Sequence, residues 1–104
     1  MSGTERSRET AQVRLSGLLV CASAAEAELV ERYLPRHVEL TRSEPACLSF
    51  DVTPTSDPLV WQVEELFADE AGFADHQERA AASEWGRATA HIERRYTVER
   101  TEPR

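Results

Sequence analysis

Two residue types are missing from this 104-residue chain altogether: it has no lysine and no asparagine, so every cation other than histidine is an arginine. A Schiff-base lysine, the lysine of a phosphate-binding loop and a catalytic asparagine are thereby excluded. Cysteine is scarce. Cys21 and Cys47 form neither a metal spacing nor a disulfide framework, and each lies in an apolar run where a thiol behaves as a small hydrophobe. Positive charge is in deficit, with 12 basic against 19 acidic residues and a net charge of −7. That is the wrong sign for affinity gained by neutralising phosphates, so no nucleic acid is expected as a partner. No apolar run approaches the roughly 20 residues that a membrane helix needs, and residues 1–12 are polar rather than signal-like. The expectation is a cytoplasmic protein that meets no membrane. His37, His76 and His91 stand singly, without the short spacings that bring two ligands onto one face, so no metal is expected. Nucleophile elbow, phosphate loop and dinucleotide fingerprint are absent too, and no organic cofactor is expected.

What is present suffices for one small domain. A chain of this length buries only about 60–65 % of the surface its unfolded form exposes, so its core gains from a partner surface. Residues 1–12 read as a disordered tail, 13–99 as the folded domain and 100–104 as a C-terminal tail. The first strand begins at Val13 and alternates through Leu15, Gly17 and Leu19 to Cys21. Ser23 and Glu26 have the spacing of a capping box, and the helix they open carries Val30, Tyr33, Leu34, His37, Leu40 and Thr41 on one stripe. Glu44-Pro45 ends it, because a residue before proline is pushed out of the α region.

Residues 46–53 and 59–67 read as two strands of a hairpin, joined by the turn-rich segment from Pro54 to Pro58. Asp69 caps a second helix with Phe73, Gln77 and Ala80 inward and His76 at the edge, and a short amphipathic piece follows around Trp85. Residues 92–98 close the chain as a fourth strand, with Arg94 and Tyr96 on one side. The order βαββαβ is the ferredoxin-like α+β arrangement, in which two helices cover one face of a four-stranded antiparallel sheet. Leu18, Val20, Val60 and Leu66 make the first and third strands apolar on both sides, and a second copy of the chain is the simplest cover for the outer face.

The run from His37 to Val52, followed by Glu65-Leu-Phe67 and Phe73-Ala-Asp-His76, resembles the antibiotic biosynthesis monooxygenase family over about residues 13–99. The resemblance implies a homodimeric α+β barrel that oxidises quinols or phenolic polyketides with molecular oxygen, without metal or flavin. Two features depart from the pattern. Ala46 stands where the family has glycine after the Glu-Pro pair, and the asparagine that some members use to hold substrate is missing.

The residues themselves supply the candidates. His37, on the first helix's apolar stripe, is the expected general base, since an imidazole titrates near neutral pH. His76 either lines the same cavity or fixes its helix. Glu65 shares a strand face with Trp61, Val63 and Phe67, so on burial it is either paired, with a histidine or an arginine as partner and Arg42 or Arg94 favoured, or raised in pKa. Trp61, Phe50 and Trp85 are candidates for stacking on an aromatic or quinol-type ligand, although aromatics at such spacings also serve as core. Arg42 is a candidate contact for the substrate, but together with Glu44 it suits fixing the turn before the second strand, or the dimer, better than chemistry. The rival functions are a non-catalytic small-molecule-binding or regulatory dimer of the same fold, and a haem-degrading relative, which the absent asparagine disfavours.

Overall fold

The computed structural model describes residues 11–101. Strand β1 (Gln12–Val20) leads into helix α1 (Ala24–Arg42), strands β2 (Cys47–Pro54) and β3 (Val60–Phe67), helices α2 (Glu70–Ala82) and α3 (Glu84–Ala88), and strand β4 (Glu93–Thr101). β1 begins at Gln12 and β4 runs on to Thr101, so the sheet takes in residues that the sequence assigns to tails. The remainder of those expected tails, residues 1–10 and 102–104, lies outside the described residues.

Local chemistry fixes the helix starts. Ser23 Oγ accepts from the Glu26 N–H at 3.3 Å, and the Glu26 carboxylate reaches back one residue beyond the expected partner, accepting from the Ala22 N–H at 2.7 Å just before the cap. Asp69 caps α2 through the Gly72 N–H at 2.8 Å, and Ser83 caps α3 through the Gly86 N–H at 3.2 Å. Each cap satisfies a donor that has no intrahelical partner.

The four strands are all antiparallel and lie in the order β2-β3-β1-β4, the ferredoxin-like α+β topology. Period-two alternation buries Val13, Leu15 and Leu19 of β1 and Trp61, Val63 and Phe67 of β3 beneath the helices, where Val30, Phe73 and Trp85 meet them. On the opposite face Leu18, Val20, Val60 and Leu66 are half-buried among polar neighbours such as Arg14, Glu64 and Arg95. Among the described residues no helix is long and apolar enough to cross a membrane.

The turn between α1 and β2 accommodates Ala46 without a glycine. The Cys47 N–H donates to the Glu44 carbonyl at 3.1 Å, and the chain there needs no positive φ. The glycine is on the other side of the contact: a Cβ at Gly72 would fall 2.2 Å from the Ala46 methyl, so the bare backbone of α2 makes room for that side chain.

Gly17 has a second, stricter role. It pairs with Val63 on one side and Tyr96 on the other at φ +150°, and a Cβ built there would lie 2.1 Å from the Arg95 carbonyl oxygen. Only glycine lets β1 and β4 approach closely enough to bring Arg94 and Tyr96 over the buried face. Gly17→Ala should therefore cost about 1–3 kcal/mol of stability, seen as a lower urea midpoint at unchanged slope. An unaltered midpoint would mean that the strands adjust without strain.

Candidate functional site

Between the sheet and the helices lies a cavity of about 350 Å³. That is enough for a small aromatic molecule. Its walls are Leu15, Leu19, Phe50, Val52 and Val63, and its polar groups come from α1 (His37), α2 (His76, Gln77), β3 (Glu65) and β4 (Arg94, Tyr96). Polar groups from four elements thus converge on one apolar chamber.

His76 is fully enclosed, its side chain 3 % exposed, with the ring 4.9 Å from that of Phe67. The sequence places it at the edge of α2 with Gln77 inward. The helix faces the sheet as expected through Phe73, with Gln77 and Ala80 bordering the cavity, but the Asp69 cap turns it so that His76 is buried rather than at the edge and Gln77 is exposed to solvent. His76 Nδ1 is 3.0 Å from Glu44 Oε1, while Nε2 faces Glu65 Oε1 at 3.8 Å. Burial pulls the His76 pKa down, the Glu44 carboxylate opposes that pull, and Arg79 adds to it.

Glu65 lies on the buried face of β3, as its alternation with Trp61, Val63 and Phe67 requires, and is 6 % exposed. The favoured arginine pairing does not form. Arg42 instead gives Nε and Nη2 to the Phe50 carbonyl at 3.1 and 2.8 Å, and Nη2 also meets Asp51 at 3.1 Å. Arg94 gives Nη1 to the Thr89 and Ile92 carbonyls and Nη2 to Thr89 Oγ1 at 2.9 Å. Glu65 Oε1 is left without a hydrogen-bond partner. Burial first, then Glu44, pushes the carboxyl up to about 7 against the opposing pull of Arg94.

His37 stacks on Trp85 with ring centroids 4.8 Å apart and planes 8° from parallel, and it meets Phe50 edge-on at 5.3 Å. Its Nδ1 has no partner. Burial, with His76, Arg79 and Arg94 nearby, lowers its pKa to about 3, so the imidazole is neutral at physiological pH. Trp85 is held in turn through Thr89, whose hydroxyl donates to the Trp85 carbonyl at 2.6 Å while Arg94 grips Thr89 from β4. Burial raises the Tyr96 phenol to about 12, which keeps it protonated as a hydrogen-bond donor.

Of the seven candidates from sequence, five therefore border the cavity: His37, His76, Glu65, Phe50 and Trp85. Trp61 is core, flanked across the strands by Leu19 and Pro54, and does not reach the cavity. Arg42 is exposed and acts from outside by fixing the backbone of Phe50. Glu44, Arg79 and Tyr96 were not singled out for the site. Tyr96 shares a strand face with Arg94, a signal that becomes legible once Gly17 is recognised as a close-approach residue. Glu44 carries no local signal, because its contact with His76 spans 32 positions. Among the described residues no three His, Cys, Asp or Glu side chains form a metal-ligating group.

A family model described as antibiotic biosynthesis monooxygenase matches residues 20–88. A search of curated proteins gave no match. Among solved structures, a candidate antibiotic biosynthesis monooxygenase from Nitrosomonas europaea superposes with a TM-score of 0.71 at 19 % identity, covering 88 % of this chain and 90 % of its own. A second candidate of the same description, from Deinococcus radiodurans, gives 0.70 at 22 % identity over 84 % of this chain and 89 % of its own. A conserved Bacteroides thetaiotaomicron protein described as a possible oxidoreductase gives 0.69 at 15 % identity over 89 % and 98 %. At these identities the likeness establishes a shared fold.

The Glu65 shift carries a stability signature. Its folded pKa of about 7 lies above the ordinary 4.5, so its contribution is fully present below 4.5 and is lost as pH rises through 7. Glu65→Gln imitates the protonated acid. The melting temperature of the variant relative to the native protein should therefore rise between pH 5 and pH 8, whereas a difference independent of pH would show that Glu65 is ionised throughout.

Proposed function

The chain belongs to the antibiotic biosynthesis monooxygenase family, and from that premise we propose that it is a cofactor-independent monooxygenase acting on a hydroquinone or a phenolic polyketide. The observation that carries the reading is the chamber between sheet and helices in which His76 and Glu65 face each other at 3.8 Å beside apolar walls. An electron-rich phenol needs little more from a protein than this. His76, with Glu65 opposite its Nε2, takes the phenolic proton, and the phenolate transfers one electron to dioxygen. Superoxide and substrate radical then combine into a carbon–oxygen bond. Loss of water from the resulting hydroperoxide leaves one oxygen on the product, so that overall the substrate loses two hydrogens and gains one oxygen atom.

The proposal moves the base from His37 to His76. A pKa of about 3 makes His37 a weak proton acceptor, whereas His76 has Glu44 beside it to sustain its basicity. His37 and Tyr96 serve as polar anchors for the oxygen atoms of the ligand, and Phe50 and Trp85 bound the ring. The apolar lining excludes water from the charged intermediates, which strengthens every electrostatic interaction there. We place the protein in the cytoplasm as a homodimer, with Leu18, Val20, Val60, Leu66 and the half-exposed Leu48 meeting a second copy.

Oxygen uptake with a panel of hydroquinones and polycyclic phenols tests the reaction. The expected result is uptake with one labelled atom from ¹⁸O₂ in the product, and His76→Ala should lower turnover by roughly 10²- to 10⁴-fold. Binding of the same panel without uptake would make the protein a ligand-binding module instead. Light scattering on the same preparation should give the mass of two chains, and the mass of one would remove the dimer.

A further inference from the structure

Behind the cavity a line of polar groups runs outward from Glu65 through His76 and Glu44 to Arg79. Glu44 Oε1 meets His76 Nδ1 at 3.0 Å, Glu44 Oε2 accepts from Arg79 Nε, and Arg79 Nη2 donates to Thr41 Oγ1 at 3.0 Å. Glu44 does not line the cavity. Its side chain is 18 % exposed, against 3 % for His76, so it stands between the buried imidazole and solvent.

We propose that Glu44 is a positioning residue, which locks His76 in the tautomer with the proton on Nδ1 so that Nε2 offers its lone pair to Glu65 and to a ligand in the cavity. The inference rests on reading the cavity as the reactive site, but its structural half stands without any substrate.

Hydrogen-bond chemistry supplies the first step. A carboxylate only accepts, so the ring nitrogen facing Glu44 must donate. A neutral imidazole carries one proton, and with that proton on Nδ1 the Nε2 atom is an acceptor. Geometry supplies the second step. Glu44 is pinned by its backbone, its N–H donating to the Thr41 carbonyl at 3.0 Å and its carbonyl accepting from Cys47 N–H at 3.1 Å. Arg79 occupies its other carboxylate oxygen, leaving Oε1 for His76 alone. A freely rotating surface glutamate would impose no such constraint.

The charges around His76 agree with this arrangement. Glu44 faces it from the turn after α1, Glu65 from β3, His37 from α1 and Arg79 from its own helix, while Arg94 on β4 acts on Glu65 and His37. Two carboxyl groups flank one imidazole. Arg79 holds one oxygen of Glu44, whereas Glu65 has no such cation on it and its pKa is raised by burial to about 7. The two ring nitrogens of His76 thus face two different elements, Nδ1 the turn after α1 and Nε2 strand β3.

Long-range ¹H–¹⁵N correlation spectra of the ¹⁵N-histidine-labelled protein test this directly, with His37→Gln and His91→Gln assigning the signals of the three histidines. The native protein should show His76 protonated at Nδ1 and bare at Nε2. Glu44→Gln leaves one amide oxygen for two donors, Arg79 Nε and His76 Nδ1, so it should hold that tautomer only in part and move the His76 titration to lower pH. Glu44→Ala should release it toward the Nε2-protonated form. In the oxygen-uptake assay Glu44→Ala should lower kcat by at least about tenfold with little change in KM, and Glu44→Gln should recover part of the loss. A native spectrum with the proton on Nε2, or a Glu44→Ala variant that keeps the native tautomer, would overturn the proposal. Because the spectra need no substrate, failure of the monooxygenase reading would leave this result standing, and the reverse also holds.

Discussion

A carboxyl group buried on the inward face of a strand makes demands on everything around it, and Glu65 is that group here. An ionised carboxylate at 6 % exposure with no arginine on it is costly, and the structure answers by letting the group hold its proton up to about pH 7 and by setting His76 opposite it. Replacing Glu65 by a hydrophobe of similar size would suit a core better. That such a residue sits among Trp61, Val63 and Phe67, on a face otherwise given to packing, is the clearest mark of a site rather than of a scaffold.

The scaffold around it is arranged so that polar groups reach the chamber from fixed backbone. Gly17 lets β4 lie close against β1, which places Arg94 and Tyr96 at the cavity. Arg94 then ties the end of α3 through Thr89, and α3 presents Trp85 flat against His37. On the other side Arg42 holds the Phe50 carbonyl, which ties the end of α1 to β2. Each of these links is a side chain bonded to main chain or an aromatic stack, and together they restrict the ring positions that any ligand would meet.

The sequence is most informative where the signal is periodic. Alternation along β1 and β3, the capping box at Ser23 and the cap at Asp69 specify the elements to within a residue or two, and the βαββαβ order follows from them. Alternation likewise places Glu65 on the buried face. Phase is harder to read: the small residues of α2 fit more than one rotation, so His76 goes deeper than its expected edge position while Gln77 borders the cavity from an exposed site. Hardest to read are contacts that join distant segments. Nothing near Glu44 in sequence indicates that it will meet His76 and Arg79, and the Glu65 pairing with Arg42 or Arg94 fails because backbone carbonyls claim both arginines first. Trp61 shows the same limit, since sharing a strand face with Glu65 does not decide which end of that face is packed and which is hollow.

The account's central claim is that this chamber binds a phenol and removes its proton. Anaerobic titration with a hydroquinone, followed by ultraviolet difference absorption, measures that step without the later chemistry. The account predicts a bound phenolate band at a pH where the free compound is still protonated, diminished in His76→Ala and shifted in pH by Glu65→Gln. A ligand that binds fully protonated at every pH, or a phenolate band indifferent to both substitutions, would contradict it.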